Sequence, residues 1–291
     1  MPHASAKPLV RSPESGAQNL DNMLSQWRAE GSRRVRTHHQ VFRTLVSQTE
    51  ELVRSGDHAS AAVQAELAAL YAIWRHPGLF ASGELERLLL TIGENTVRAR
   101  DAVRPRKVSR GWPIHVLHVS TRVMSVGGHT RMLWRWIQQD SGRVHSVALT
   151  RQLREIPAAL RDAVAGTGGR IYRVNRAVGG LISWARQLRN VAMSADLVVL
   201  HSFNDDAIPL LAFAREEGLP PVLFLDHADH IFWLGAAISD AVISLRESGM
   251  RIARERRGFA PDRTVLLPTI LAPTRRSLSR RAAKRSLGLP E

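Results

Sequence analysis

The chain has 291 residues, 44% hydrophobic and 23% charged, proportions of a folded protein that exclude wholesale disorder and suit about two domains at roughly 150 residues each. Forty-one Lys+Arg stand against 26 Asp+Glu for a formal charge of +15, and cysteine is absent, which excludes disulfides, thiolate metal sites and cysteine nucleophiles together. The longest apolar runs, such as Pro220–Leu225 and Ile231–Ile238, fall far short of the roughly 18 residues of a spanning helix.

Lys7, Lys107 and Lys284 are the lysines, so arginine carries nearly all the positive charge. Arginine favours bidentate contact with phosphate and carboxylate, so a polyanionic partner or an anionic membrane surface is one reading. A compositional habit, with arginines scattered through the chain, is the other. The dense exception is Arg275–Arg285, RRSLSRRAAKR.

Residues 1–19 are polar, contain Pro2, Pro8 and Pro13, and have no apolar signal region; they read as a disordered tail. Residues 20–103 read as a helical bundle. Val41, Phe42, Leu45, Val46, Leu52 and Val53 recur at spacings of three and four. After a break at Gly56-Asp57, the predicted buried face of a second helix carries Ala62, Val63, Leu67, Leu70, Ile73 and Trp74. A third starts near Ser82, a plausible N-cap, with Leu85, Leu88, Leu89, Ile92 and Val97. Residues 104–112 read as a linker, where proline and charge replace the apolar stripe.

From residue 113 to 274 short β-rich runs alternate with helical stretches. Strands are predicted over Pro113–Ser120, Val144–Thr150, Arg170–Val174, Leu197–Leu200, Pro221–Leu225, Ala241–Ser244 and Thr264–Leu267. Helices are predicted over Thr130–Asp140, Ile156–Ala165, Leu181–Ala195, Ala207–Glu216 and Glu247–Arg257. This alternation is the mark of an α/β fold with an open, doubly wound, Rossmann-like parallel sheet. Such a sheet binds ligands outside the carboxyl ends of its strands.

Gly127-Gly128, after the first strand, stand where a helix N-terminus faces that edge. The pair lets a bulky or anionic ligand approach the main chain; a plain strand–helix turn is the alternative. The spacing is not the dinucleotide fingerprint, so an NAD site is disfavoured. His129 follows the glycines, His201 ends the fourth strand, and His227 and His230 flank Asp229 after the fifth. Three loops thus bring imidazoles toward one edge, where they could take a hydroxyl proton or bind a sugar or phosphate. H-x-x-H in a loop is a weak zinc signal without the helical H-E-x-x-H arrangement, and neither metal nor cofactor is expected.

The order of a long loop with Gly127, Gly128 and Arg131, histidines at the fourth and fifth strand ends, then SDAVISLRESGM (Ser239–Met250) and LLPTI (Leu266–Ile270) resembles the N-terminal, acceptor-side half of a family 4-type glycosyltransferase of the GT-B fold. HADHIFWLG (His227–Gly235) and HPGLFASGELERLL (His76–Leu89) resemble segments of bacterial members with an extra N-terminal helical region. The resemblance implies retaining transfer from a nucleotide-sugar donor to a glycan or lipid-linked acceptor, for cell-envelope polysaccharide. It implies His227 as the catalytic histidine against the transferred sugar. Gly127, Gly128, His129, Arg131, His201, Asp229 and His230 would stand on the acceptor and donor-phosphate side.

The family's second, nucleotide-binding domain with its E-x7-E carboxylates is not in this sequence. Residues 275–291, ending in AAKRSLGLPE, resemble the segment leading into it. A truncated chain, contacting the donor mostly through the missing domain, is therefore expected, with a cytoplasmic location that could include the inner face of an anionic membrane. A non-catalytic interaction module is the alternative. A nucleic-acid binder would need a reader motif or basic–aromatic stripe, and none is recognisable.

Overall fold

The computed structural model describes residues 13–97, 113–214, 218–268 and 275–290. The predicted linker at 104–112 and the first twelve residues lie outside them. Residues 13–19, expected as tail, instead begin helix α1 (Pro13–Arg54), which is 42 residues long. Pro13 is its first residue, where a missing N–H breaks no intrahelical bond and the fixed φ suits the turn.

The predicted break is present. Gly56 adopts a φ of 80°, and the Asp57 carboxylate accepts from the Ser60 N–H at 3.1 Å, capping α2 (His58–Trp74). Ser82 accepts from the Leu85 N–H at 3.3 Å at the start of α3 (Gly83–Thr96).

The buried face of α2 differs from the expectation. Ala61, Ala62, Ala65, Ala68, Ala69 and Ala72 point inward, while Val63, Leu67, Leu70 and Trp74 are exposed, Trp74 at 77%. Small side chains let α2 lie close to its neighbours, and the larger residues have room only on the outside.

The second segment contains β1 (His115–Ser120), α4 (Gly128–Gln139), β2 (Val144–Leu149), α5 (Ala158–Gly166), β3 (Ile171–Arg173), α6 (Leu181–Ala192) and β4 (Leu197–His201). It continues through α7 (Ile208–Ala212), β5 (Val222–Asp226), β6 (Ala241–Ser244), α8 (Glu247–Arg257), β7 (Thr264–Leu266) and the basic α9 (Arg280–Ser286). The helix predicted over Ala207–Glu216 is described only as the short α7; residues 215–217 lie outside the described set.

The sheet has seven strands in the order β3-β2-β1-β4-β5-β6-β7, every neighbouring pair parallel. This is a doubly wound, Rossmann-like sheet: the chain moves outward from β1 to β3, returns, and moves outward again from β4. Val147 and Leu149 pack on one face with Leu133 and Ile137 of α4 and Leu160 and Val164 of α5. Leu117, Val119, Val198, Leu200 and Phe224 pack on the other, in a core shared with α1, α2, α3, α6 and α7.

Two buried charges tie the N-terminal helices to the sheet segment. Arg189 of α6 donates to the carbonyls of Val97, Ala212 and Ala214. Glu86 of α3 accepts from the N–H groups of Gly235, Ala236 and Ala237, at 2.8, 3.2 and 2.6 Å. Among the described residues, no helix is long and apolar enough to cross a membrane.

Candidate functional site

The winding reverses between β1 and β4, and at such a point the loops of a doubly wound sheet part to leave a crevice at the carboxyl edge. Asp206 fastens its base, accepting from Thr121 Oγ1 at 2.7 Å and Thr150 Oγ1 at 2.5 Å. The ends of β1 and β2 are thereby tied to the loop after β4. Thr121 Oγ1 also accepts from the Phe203 N–H at 2.7 Å.

Above this base the structure gathers imidazoles. The His129 ring stacks on that of His227, centroids 4.4 Å apart and 30° between planes, and lies 6.1 Å from that of His201. His129 stands in the first turn of α4 and His227 directly after β5, so residues nearly a hundred positions apart meet at one rim. Burial pushes His129 down to about 3, helped by His227, while a hydrogen bond to the His201 backbone opposes. Burial also lowers His227 and His201. These rings are neutral at pH 7, and neutral imidazole offers one lone pair and one N–H.

The other predicted residues divide. Gly127 has a φ of 129°, a conformation that excludes a side chain without strain. Ideal Cβ atoms on Gly127 or Gly128 would meet open space, so the main chain at the α4 N-terminus is uncovered. Arg131 is exposed one turn along α4. The Asp229 carboxylate is committed to Arg246, which donates to it through Nε at 3.1 Å and Nη2 at 2.6 Å. Asp229 therefore braces the loop, while the His230 side chain is 71% exposed, with its Nδ1 3.5 Å from the Asp229 carboxylate.

Arg257 is the second brace. It donates to the carbonyls of Asp229 at 2.9 Å and Ile231 at 2.8 Å, faces Asp226 at 3.4 Å and covers the Trp233 ring at 4.7 Å. Burial raises the Asp226 carboxyl to about 6, with Arg257 opposing. Among the described residues, no group of His, Asp and Glu is arranged to hold a metal ion.

Two histidines that the sequence did not single out continue the array. His118 of β1 and His145 of β2 are fully buried. The His118 ring contacts that of His201 through Nδ1···Nε2 at 3.0 Å and that of His145 through Nε2···Nδ1 at 2.9 Å. Strand register explains the alignment: His145 lies opposite Val116, and His201 opposite Ser120. All three side chains therefore share a sheet face and climb two residues per strand toward the carboxyl edge. Trp136 of α4 covers them, edge-on to His118 and His201.

No family model matches the chain, and no curated protein matches it significantly. Among solved structures, a mutant of the O-GlcNAc transferase from Thermobaculum terrenum matches with 12% identity and a TM-score of 0.38, over 81% of this chain and 44% of that one. The chain thus spans less than half the length of that protein.

Proposed function

We propose that the chain is the acceptor-side part of a retaining, nucleotide-sugar-dependent glycosyltransferase of the GT-B, family 4 type, acting on a glycan or lipid-linked acceptor. The meeting of His129, His201 and His227 beside the uncovered N-terminus of α4, at the reversal point of the sheet, carries this reading. Helix N-termini favour phosphate, and neutral imidazoles can hydrogen-bond sugar hydroxyls. His227 then stands against the transferred sugar, with Gly127, Gly128 and His129 toward donor phosphate. Arg131 is close enough along α4 to add positive charge, whereas Asp229 and Arg246 hold the loop. Residues 113–274 form the acceptor-side domain in this reading, and 275–291 lead toward a donor-binding partner domain.

The test is a titration of the chain with a panel of sugar nucleotides and oligosaccharides, followed by NMR of its ¹⁵N-labelled histidine rings. Saturable shifts of His129 and His227, with His230 unmoved, are expected; a panel that moves neither ring overturns the proposal. With the chain joined to a donor-binding domain, and in whichever donor–acceptor pair then gives transfer, His227→Ala is expected to lower turnover at least about 100-fold, as for a lost polar or acid–base group. Unchanged turnover removes His227 from the site.

The outward stripe of Val63, Leu67, Leu70 and Trp74 on α2 favours a second reading, a non-catalytic interaction module. Ring signals indifferent to every sugar, together with concentration-dependent association lost in Leu67→Lys, would favour it.

A further inference from the structure

The hydrogen-bonded imidazoles beneath the crevice have a direction. The backbone carbonyl of Asp140 lies 3.0 Å from His145 Nε2; a carbonyl only accepts, so this nitrogen carries the hydrogen. His145 Nδ1 is then a lone pair and must receive from His118 Nε2–H. By the same reasoning His118 Nδ1 receives from His201 Nε2–H. One backbone oxygen at the amino edge of the sheet thus fixes three tautomers in succession. The row ends at His201 Nδ1, a lone pair on a fully buried side chain with no hydrogen-bond partner.

At the opposite end the Asp140 carboxylate, partly open to solvent, lies 3.4 Å from His145 Nε2. Its other neighbour is Arg143, at 2.7 Å. At the inner end His129 lies over His201, carried on the helix entrance that follows Gly127 and Gly128. His201 is fully buried, so a ligand hydroxyl would have to displace a covering ring such as that of His129 to reach it.

We propose that His201, His118 and His145 form a reversible proton relay, taking the proton of a ligand hydroxyl at the carboxyl edge of the sheet and passing it to Asp140 at the amino edge. The hydroxyl O–H bond breaks as an N–H bond forms at His201 Nδ1, the oxygen keeping its electron pair for the bond to the transferred carbon. The His201 Nε2 proton moves to His118 Nδ1, the His118 Nε2 proton to His145 Nδ1, and the His145 Nε2 proton to the Asp140 carboxylate. One proton enters, one leaves, and each ring ends neutral with its hydrogen on Nδ1. The reverse run, fed from Asp140, restores the resting tautomers and supplies a proton to the departing group. Burial, which holds His118 near 3, keeps the receiving lone pairs free between passages. The proton's source rests on the transfer reading above, whereas the relay itself is testable without it.

The experiment uses the full chain with ¹⁵N-labelled histidine. Long-range ¹H–¹⁵N spectra are expected to place hydrogen on Nε2 of His145, His118 and His201; an Nδ1–H form of His118 or His201 overturns the proposal. Exchange of the buried His118 ring hydrogen into D2O is then followed. Asp140→Asn keeps the backbone carbonyl, so the tautomers should persist while exchange slows at least about tenfold, in the range of a lost proton acceptor. Arg143→Gln, which removes the carboxylate's ion pair but not the carboxylate, should leave exchange within about twofold of wild type. Equal exchange in wild type and Asp140→Asn, or equal slowing by both substitutions, sinks the relay. Sugar-induced shifts of His227 with a failed relay would leave the transfer reading standing, and the converse result would leave the relay without a sugar substrate.

Discussion

Gly249 illustrates how a residue remote from the crevice can govern it. A Cβ there would stand 2.5 Å from Asp229 Oδ2 and 3.0 Å from Asp229 Cβ, within the brace formed with Arg246. Gly249→Ala should therefore push the loop off α8 and cost about 1–3 kcal/mol as overpacking, measurable as a lowered denaturation midpoint with the His129–His227 ring contact weakened. His118 shows the limit of reading residues singly. In PIHVLHVS a histidine amid strand apolars is a visible anomaly, but its role depends on lying diagonal to His145 and His201. That neighbourhood exists only once β1 is known to sit between β2 and β4. The same holds for Asp229, whose position beside His227 suggested a ligand contact until Arg246 claimed its carboxylate.

At the scale of elements, helix and strand periodicities were legible nearly throughout, because each depends on local spacing. Which side of α2 faces inward was not. Its large side chains form an apolar stripe, yet the close approach of neighbouring helices selects the alanine side. The two faces predict opposite responses. Ala65→Leu, at a position with no exposure, should cost about 1–3 kcal/mol. Leu67→Lys, on the half-exposed side, should change stability by no more than about 0.5 kcal/mol; chemical denaturation of both variants distinguishes the faces. The start of α1 was equally hidden, since Pro13 reads as a breaker in a polar tail and as a normal first residue once the helix is known.

At the scale of the whole molecule, burial perturbs two sets of titratable groups in opposite senses. His118, His129, His145, His201 and His227 are all lowered, chiefly by burial. The unfolded chain therefore binds more protons below about pH 6.5, and stability falls as pH drops from there toward the lowered folded values, about 3 for His118 and His129. Glu66, Glu86 and Asp226 are raised by burial to about 7, 6 and 6. Their contribution is full below the unfolded carboxyl range and is lost as pH rises through 6 to 7. The imidazoles are more numerous, so the denaturation midpoint should fall between pH 6.5 and 4.5 with net proton uptake on unfolding. A midpoint that rises over that interval would show the carboxyls dominating. In each of the two carboxyl variants Glu66→Gln and Asp226→Asn, the acid-side loss should steepen.

The three-pronged grip of Glu86 on residues 235–237 has a consequence for dissecting the protein. The stretch it holds leads back to His227, so the helices before the sheet serve as foundations of the histidine-bearing rim. A shortened chain beginning at Pro113 would retain every strand and yet release that stretch. It should preserve the pleated scaffold spectroscopically while losing the paired rings, because architecture and workshop are anchored in different parts of the polypeptide.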